Sequence, residues 1–277
     1  MKRPAFFEQF GPDEFAPTKV ATSPWSKHAV NGPAVCGLLA RELERQHSAA
    51  GFQPARLTID LFKPAPNAML QVSTTEVRVG NRIRVADAVL LAGGVPYARA
   101  SAVFLKRSNQ PEGTVWQRDT TPSTPPEHLA AELEDHGVPL FGSDVHPTGW
   151  SMDMAEHQGS SRKRMWSRTI SIVEGEEPSP FAVAAIVGEA TSLVTNWGSE
   201  GIGFINADLT LTLARMPRGT EMGIESDNHI SAEGVAACSA VLYDREGPLG
   251  TCVVTALSNA ARQIDLAQPL DLASRRG

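Results

Sequence analysis

Two stretches of this 277-residue chain carry the same order of signals, a helix period followed by four alternating segments, and that duplication limits the possible folds more than any other feature. In the first stretch, 33–45, Val35, Leu38, Leu39 and Leu43 recur at helical spacing, with Glu and Arg opposite them and Pro33 suited to a first turn. Alternating segments follow at 56–63, 70–79, 82–91 and 95–105, separated by Pro64-Ala65-Pro66, Gly80-Asn81 and Gly93-Gly94. Such short turns predict an antiparallel meander. The second stretch opens with a predicted strand over 164–172 and a largely apolar helix over 181–195, then alternating segments at 207–214, 221–228, 234–243 and 249–257. From Leu57-Thr58 to Gly94, and from Leu209-Thr210 to Gly247-Pro248, the halves span about 38 residues each, so they agree in spacing as well as order.

Between the halves, Pro, Thr, Glu and Gly dominate and periodicity is lost. The expected organisation is therefore an N-terminal module over 1–108, a linker or covering strap over 109–161, and a C-terminal module over 162–277. The class is α+β.

Composition excludes several functions. A net charge of −6 and a pI near 5.7 leave no broad basic surface for nucleic acid. The densest basic cluster, Arg162-Lys163-Arg164 with Arg168 following, reads as a solvated strand start, with contact to an anionic cofactor phosphate as the alternative. No apolar run reaches the roughly 20 residues of a membrane span, and the first residues lack the apolar core of a signal peptide, so a cytoplasmic protein without membrane partners is expected. Cys36, Cys238 and Cys252 are widely separated among apolar neighbours and are expected to be buried thiols rather than disulfide or zinc ligands. His28 reads as a surface residue, and His157 and His229 have no partner visible in the sequence. No metal constellation is expected.

Specific residues then point to a family. Pro24-Trp25-Ser26 precedes a helix start at Gly32-Pro33, Arg56-Leu57-Thr58-Ile59-Asp60 opens the first meander, and Asn206-Ala207-Asp208-Leu209-Thr210 with Pro217-Arg218-Gly219 opens the second; Asp244-Arg245-Glu246-Gly247-Pro248 follows. Over most of residues 15–258 this order resembles the thioesterase-like double hotdog proteins related to acyl-CoA thioesterase II. The resemblance implies a helix wrapped by an antiparallel sheet in each half, the two sheets joined edge to edge.

It also implies an activity and a site. Hydrolysis of a fatty acyl-CoA thioester to free acid and CoA needs a base to activate water and donors to stabilise the oxyanion, which in this fold are backbone N–H groups at a helix start. The family's acidic position is matched by Glu189, one methylene longer than the usual Asp; among Ala185, Ile186, Val187 and Ala190 its pKa would rise, as suits a general base. A partly exposed helix glutamate, or an acceptor capping nearby backbone, is the alternative. The family's hydroxyl position is matched by Asn206, with Thr210 and Thr212 offering hydroxyls on the face of Asp208, and the expected glutamine by the apolar Val254. The helix start is matched by Asn31, Gly32 and Pro33, which with Trp25 form the expected substrate-binding set, although Pro33 has no N–H. No cofactor is implied beyond the coenzyme A of the substrate. A binding module that holds acyl-CoA or another apolar ligand without turnover, or a hydratase, would use the same scaffold, and assembly into a homo-oligomer stays open.

Overall fold

In the computed structural model, which describes residues 4–118, 121, 123–133, 138–146 and 149–266, two buried helices are each wrapped by strands. The chain begins with β1 (Ala5–Gln9), β2 (Glu14–Pro17) and a small hairpin of β3 (Thr22–Ser23) and β4 (Ser26–Val30). Helix α1 (Gly32–His47) starts where Asn31 Oδ1 accepts from the Ala34 N–H at 2.8 Å, with Pro33 in the first turn. Residues 34–43 are buried all round, so Arg41 and Glu42 lie inside although the helical pattern puts them on an outer face. They are tolerated there because they pair. Glu42 accepts from Arg45 at 2.8 Å and Gln46 at 3.0 Å besides Arg41, which also reaches Glu176 at 2.7 Å. A lone charge at that depth would cost several kcal/mol.

Strands β5 (Phe52–Leu61), β6 (Leu70–Val79), β7 (Ile83–Ala92) and β8 (Val95–Lys106) follow, paired antiparallel in the order β5-β8-β7-β6. Alternate residues, among them Ala86, Ala88, Ala98, Ala100 and Ala102, are buried beneath α1, and these small side chains let the helix lie close. Gly93 and Gly94 at φ +55° and +78° make the two-residue β7–β8 turn.

The segment expected as a linker carries regular structure: helix α2 (Glu127–Ala131), β9 (Leu140–Ser143) and β10 (Trp150–Ser151). Strands of four and two residues are too short to show a period. Both extend the sheet, because β9 pairs with β10 and with β11 (Lys163–Arg168). The single strand expected over 164–172 is broken after Arg168. Beyond the break, β12 (Ser171–Val173) crosses to the other half and pairs parallel with β1, Ala5 opposite Ser171.

The second helix is also interrupted, into α3 (Pro180–Glu189) and α4 (Thr191–Asn196). Thr191 Oγ1 donates to the Gly188 carbonyl at 2.7 Å and Thr195 Oγ1 to the Thr191 carbonyl at 2.6 Å, bonds that compete with helix continuation and bend it. A short pair, β13 (Trp197–Gly198) and β14 (Gly201–Ile202), leads to β15 (Phe204–Asn206), β16 (Asp208–Leu213), β17 (Glu221–Ala232), β18 (Val235–Asp244) and β19 (Gly247–Ser258). Their order, β17-β18-β19-β16, repeats that of the first half. The halves join where β5 and β16 pair antiparallel, with Thr58 opposite Thr210, Ile59 opposite Leu209 and Leu57 opposite Leu211, a register symmetric about the threonine pair. Leu57, Ile59, Leu209 and Leu211 are fully buried, each worth about 1.5–3 kcal/mol of apolar burial. Among the described residues no helix is long and apolar enough to cross a membrane.

Candidate active site at the crossing of the two helices

Helix α1 packs so closely on β12 and α3 that a β-carbon on Gly37 would fall 2.4 Å from Ile172 Cδ1 and 2.9 Å from Ile186 Cγ1. Ala182, Ile186 and Glu189 recur at helical spacing, and the stripe they form ends with Glu189 against the first residue of α1. There a β-carbon on Gly32 would lie 2.2 Å from Glu189 Oε1 and 2.6 Å from its Cδ, so any larger residue at 32 displaces the carboxyl group. Only glycine leaves room for it.

Burial pushes the Glu189 carboxyl up to about 7, and among the described residues no hydrogen-bond donor or cation reaches it. The carboxyl group lies close enough to Cys36 and Cys252 to add to the rise that burial gives both thiols, Cys252 to about 12. Both stay protonated at neutral pH, as expected of buried thiols, and all three cysteines are free.

The start of α1 supplies one open donor. Ala34 N–H is capped by Asn31 Oδ1, Val35 N–H bonds the Asn31 carbonyl at 3.3 Å, and Pro33 has none, which leaves the Gly32 N–H without a partner among the described residues. Asn31 is engaged at both ends, since its Nδ2 donates to the Val20 carbonyl at 3.2 Å. It builds the helix start and does not present its amide to a substrate. Trp25 sits at the tip of the β3–β4 hairpin with its side chain exposed.

Asn206 and Thr210 part company because of one extra residue. Asn206 stands opposite Ala256 in β19, whereas Thr210 stands opposite Val253, so Ala207 forms a bulge between β15 and β16. Asn206 therefore shares the buried, helix-facing side with Ala256, Val254 and Cys252, and its Nδ2 is buried with no hydrogen-bond partner. Thr210 faces the other side, where its hydroxyl meets that of Thr58 at 3.1 Å. The expectation that Thr210 orients water beside Glu189 is corrected on that ground. A two-residue period counted straight through the sequence misses the bulge. Val254 lies on the Asn206 side and is apolar, as its position in the sequence indicated.

The remaining candidates resolve by contact. Arg162 pairs with Glu225 at 2.9 Å, Arg164 with Asp144 at 2.8 Å and Arg168 with Glu221 at 2.6 Å, so the basic cluster is spent on its own fold rather than on a phosphate. His229 gains partners the sequence hid, the Thr195 carbonyl at 3.0 Å and Cys238 Sγ at 3.3 Å. His157 is fully buried between Ser143 and Ser151, beside His146 and Glu156, a grouping of metal-ligand types where none was expected.

A sheet-wrapped helix repeated in two halves is the arrangement of a hotdog-type fold. The sequence matches the acyl-CoA thioesterase N-terminal domain over residues 21–105 and the acyl-CoA thioesterase C-terminal domain over 142–257. The chain belongs to this acyl-CoA thioesterase family. Similar solved structures include the tesB protein of Mycobacterium avium subsp. paratuberculosis (14% identity, TM-score 0.64, covering 91% of this chain and 95% of that one). The acyl-CoA thioesterase II TesB2 of Mycobacterium marinum is 12% identical, with a TM-score of 0.61 over 95% of this chain and 97% of that one. A protein of unknown function with a hot dog fold from Alicyclobacillus acidocaldarius is 16% identical, with a TM-score of 0.61 over 91% and 95%. At these identities the likeness establishes the fold. No curated protein matches the chain.

Proposed function

We propose that the chain is a double hotdog acyl-CoA thioesterase that hydrolyses a fatty acyl-CoA to the free acid and CoA, with Glu189 as general base. The modules are 1–108 and 162–277, joined by 109–161, and the protein acts in the cytoplasm without a cofactor of its own. The observation that carries this reading is the Glu189 carboxyl group, unpaired and raised to about 7 by burial, against the start of α1. Near neutral pH it is part ionised, poised both to take a proton and to return it.

In this mechanism Glu189 removes a proton from water as the water oxygen attacks the thioester carbonyl carbon. The open Gly32 N–H faces the developing oxyanion, and the role of holding the water is assigned to Asn206 by its match to the family's polar position, its Nδ2 being buried without a partner. The tetrahedral intermediate collapses as the C–S bond breaks, and the CoA sulfur takes the proton from Glu189. Products are the carboxylic acid and CoA thiol. The acyl chain lies in the apolar layer between helix and sheet.

A second reading, an acyl-CoA binding module without turnover, is favoured by two departures: Val254 offers no hydrogen bond on the Asn206 side, and Pro33 removes one N–H from the helix start. Thiol release from a panel of acyl-CoA chain lengths separates the two. The hydrolase reading predicts turnover for at least one chain length and a loss of about 100-fold or more in Glu189→Gln. Binding across the panel with no thiol release would establish the second reading instead.

A further inference from the structure

We propose that His146, Glu156 and His157 form a site for one divalent transition-metal ion, of the zinc type, that ties the turn after β9 to the short helix after β10. His146 lies in the turn after β9, and Glu156 and His157 lie on a short 3-10 helix (Met154–His157) that follows β10. Chain segments on both sides of β10 thus meet at one point. His146 Nε2 is 3.3 Å from Glu156 Oε2, the two imidazole rings are 4.5 Å apart, and one donor atom from each residue lies within 4.8 Å of the others. Donors on a tetrahedral zinc ion stand about 3.3 Å apart, so one pair is already at that spacing and the others close by rotation of side chains. Two imidazoles and one carboxylate are a donor set that zinc favours over the hard cations.

The surroundings are built for ligation. Ser143 Oγ lies 3.0 Å from His157 Nδ1, a contact that fixes the ring. Ser151 Oγ lies 3.0 Å from Nε2 and interacts with Glu156 as well, so this hydroxyl has to turn aside or serve as a further ligand when the ion binds. Lys163 and Arg164 are the nearest opposing charges. Arg164 is matched by Asp144 at 2.8 Å, and Lys163 Nζ is held by the Gly159 carbonyl at 2.8 Å. Nothing in the thioesterase reading uses these residues.

The test is calorimetric titration of chelator-treated, tag-free, full-length protein with Zn2+, with Co2+ absorption bands as a report of nitrogen ligation. One equivalent is expected to bind, and His146→Ala and Glu156→Gln are each expected to weaken binding by about tenfold or more. Both side chains reach the surface, so these variants decide the matter even if His157→Ala fails to fold. Absence of stoichiometric binding in the wild type, or unchanged affinity in both variants, would overturn the site.

Discussion

Glu189 and Gly32 have to be understood as a pair. A desolvated carboxyl group that accepts no hydrogen bond is hard to ionise, and the space it occupies exists only because residue 32 has no side chain. Gly32→Ala would set a methyl group 2.2 Å from Oε1 and push the carboxyl group away from the open Gly32 N–H. A displacement near 1 Å in a catalytic group costs on the order of 100-fold in rate, so kcat should fall by that factor while circular dichroism stays that of the wild type. Unchanged turnover in Gly32→Ala would mean that the carboxyl group works from elsewhere or not at all. Composition could flag Glu189, since an acid amid Ala, Val and Ile stands out. Nothing local in the sequence joins it to Gly32, 157 positions away, and the resemblance to known thioesterases alone put both residues in one site.

At the scale of elements, legibility follows length. Long strands with alternating burial, β7, β8 and β18, fall within one residue of the segments their sequences predict, whereas β5 starts four residues before its expected segment and β17 ends four residues after its own. Four-residue β9 and two-residue β10 carry no period to read. Two irregularities matter more for function. The break between α3 and α4 makes Glu189 the last residue of its helix, and it is caused by threonine hydroxyls bonding back to carbonyls, which an apolar run conceals. The Ala207 bulge turns Asn206 inward and leaves Thr210 outside, where a straight count gives both the same face. Each involves a single residue, and each changes which side chains can meet.

At the scale of the molecule, the β5–β16 seam makes the two halves one structure. Leu209 pairs with Ile59 across it and both are fully buried. Leu209→Ala should lower stability by about 2–5 kcal/mol, read from urea unfolding, with both halves melting in one transition. A cost below 1 kcal/mol, or two separate transitions, would show that the halves stand alone. The seam and the antiparallel packing of α1 on α3 have a shared consequence, because they set the end of one helix against the start of the other and so bring Glu189 from the second half to Gly32 in the first.

If the Glu189 carboxyl group is the base in thioester hydrolysis, its ionisation governs the rate. The pH dependence of kcat/KM for acyl-CoA hydrolysis tests it most directly, because that profile reports the ionisation of groups in the free enzyme. A rise with pH that is half complete near 7, where burial sets Glu189, and its loss in Glu189→Gln are the predicted result. A wild-type profile flat through neutrality, or the same inflection in Glu189→Gln, would contradict it.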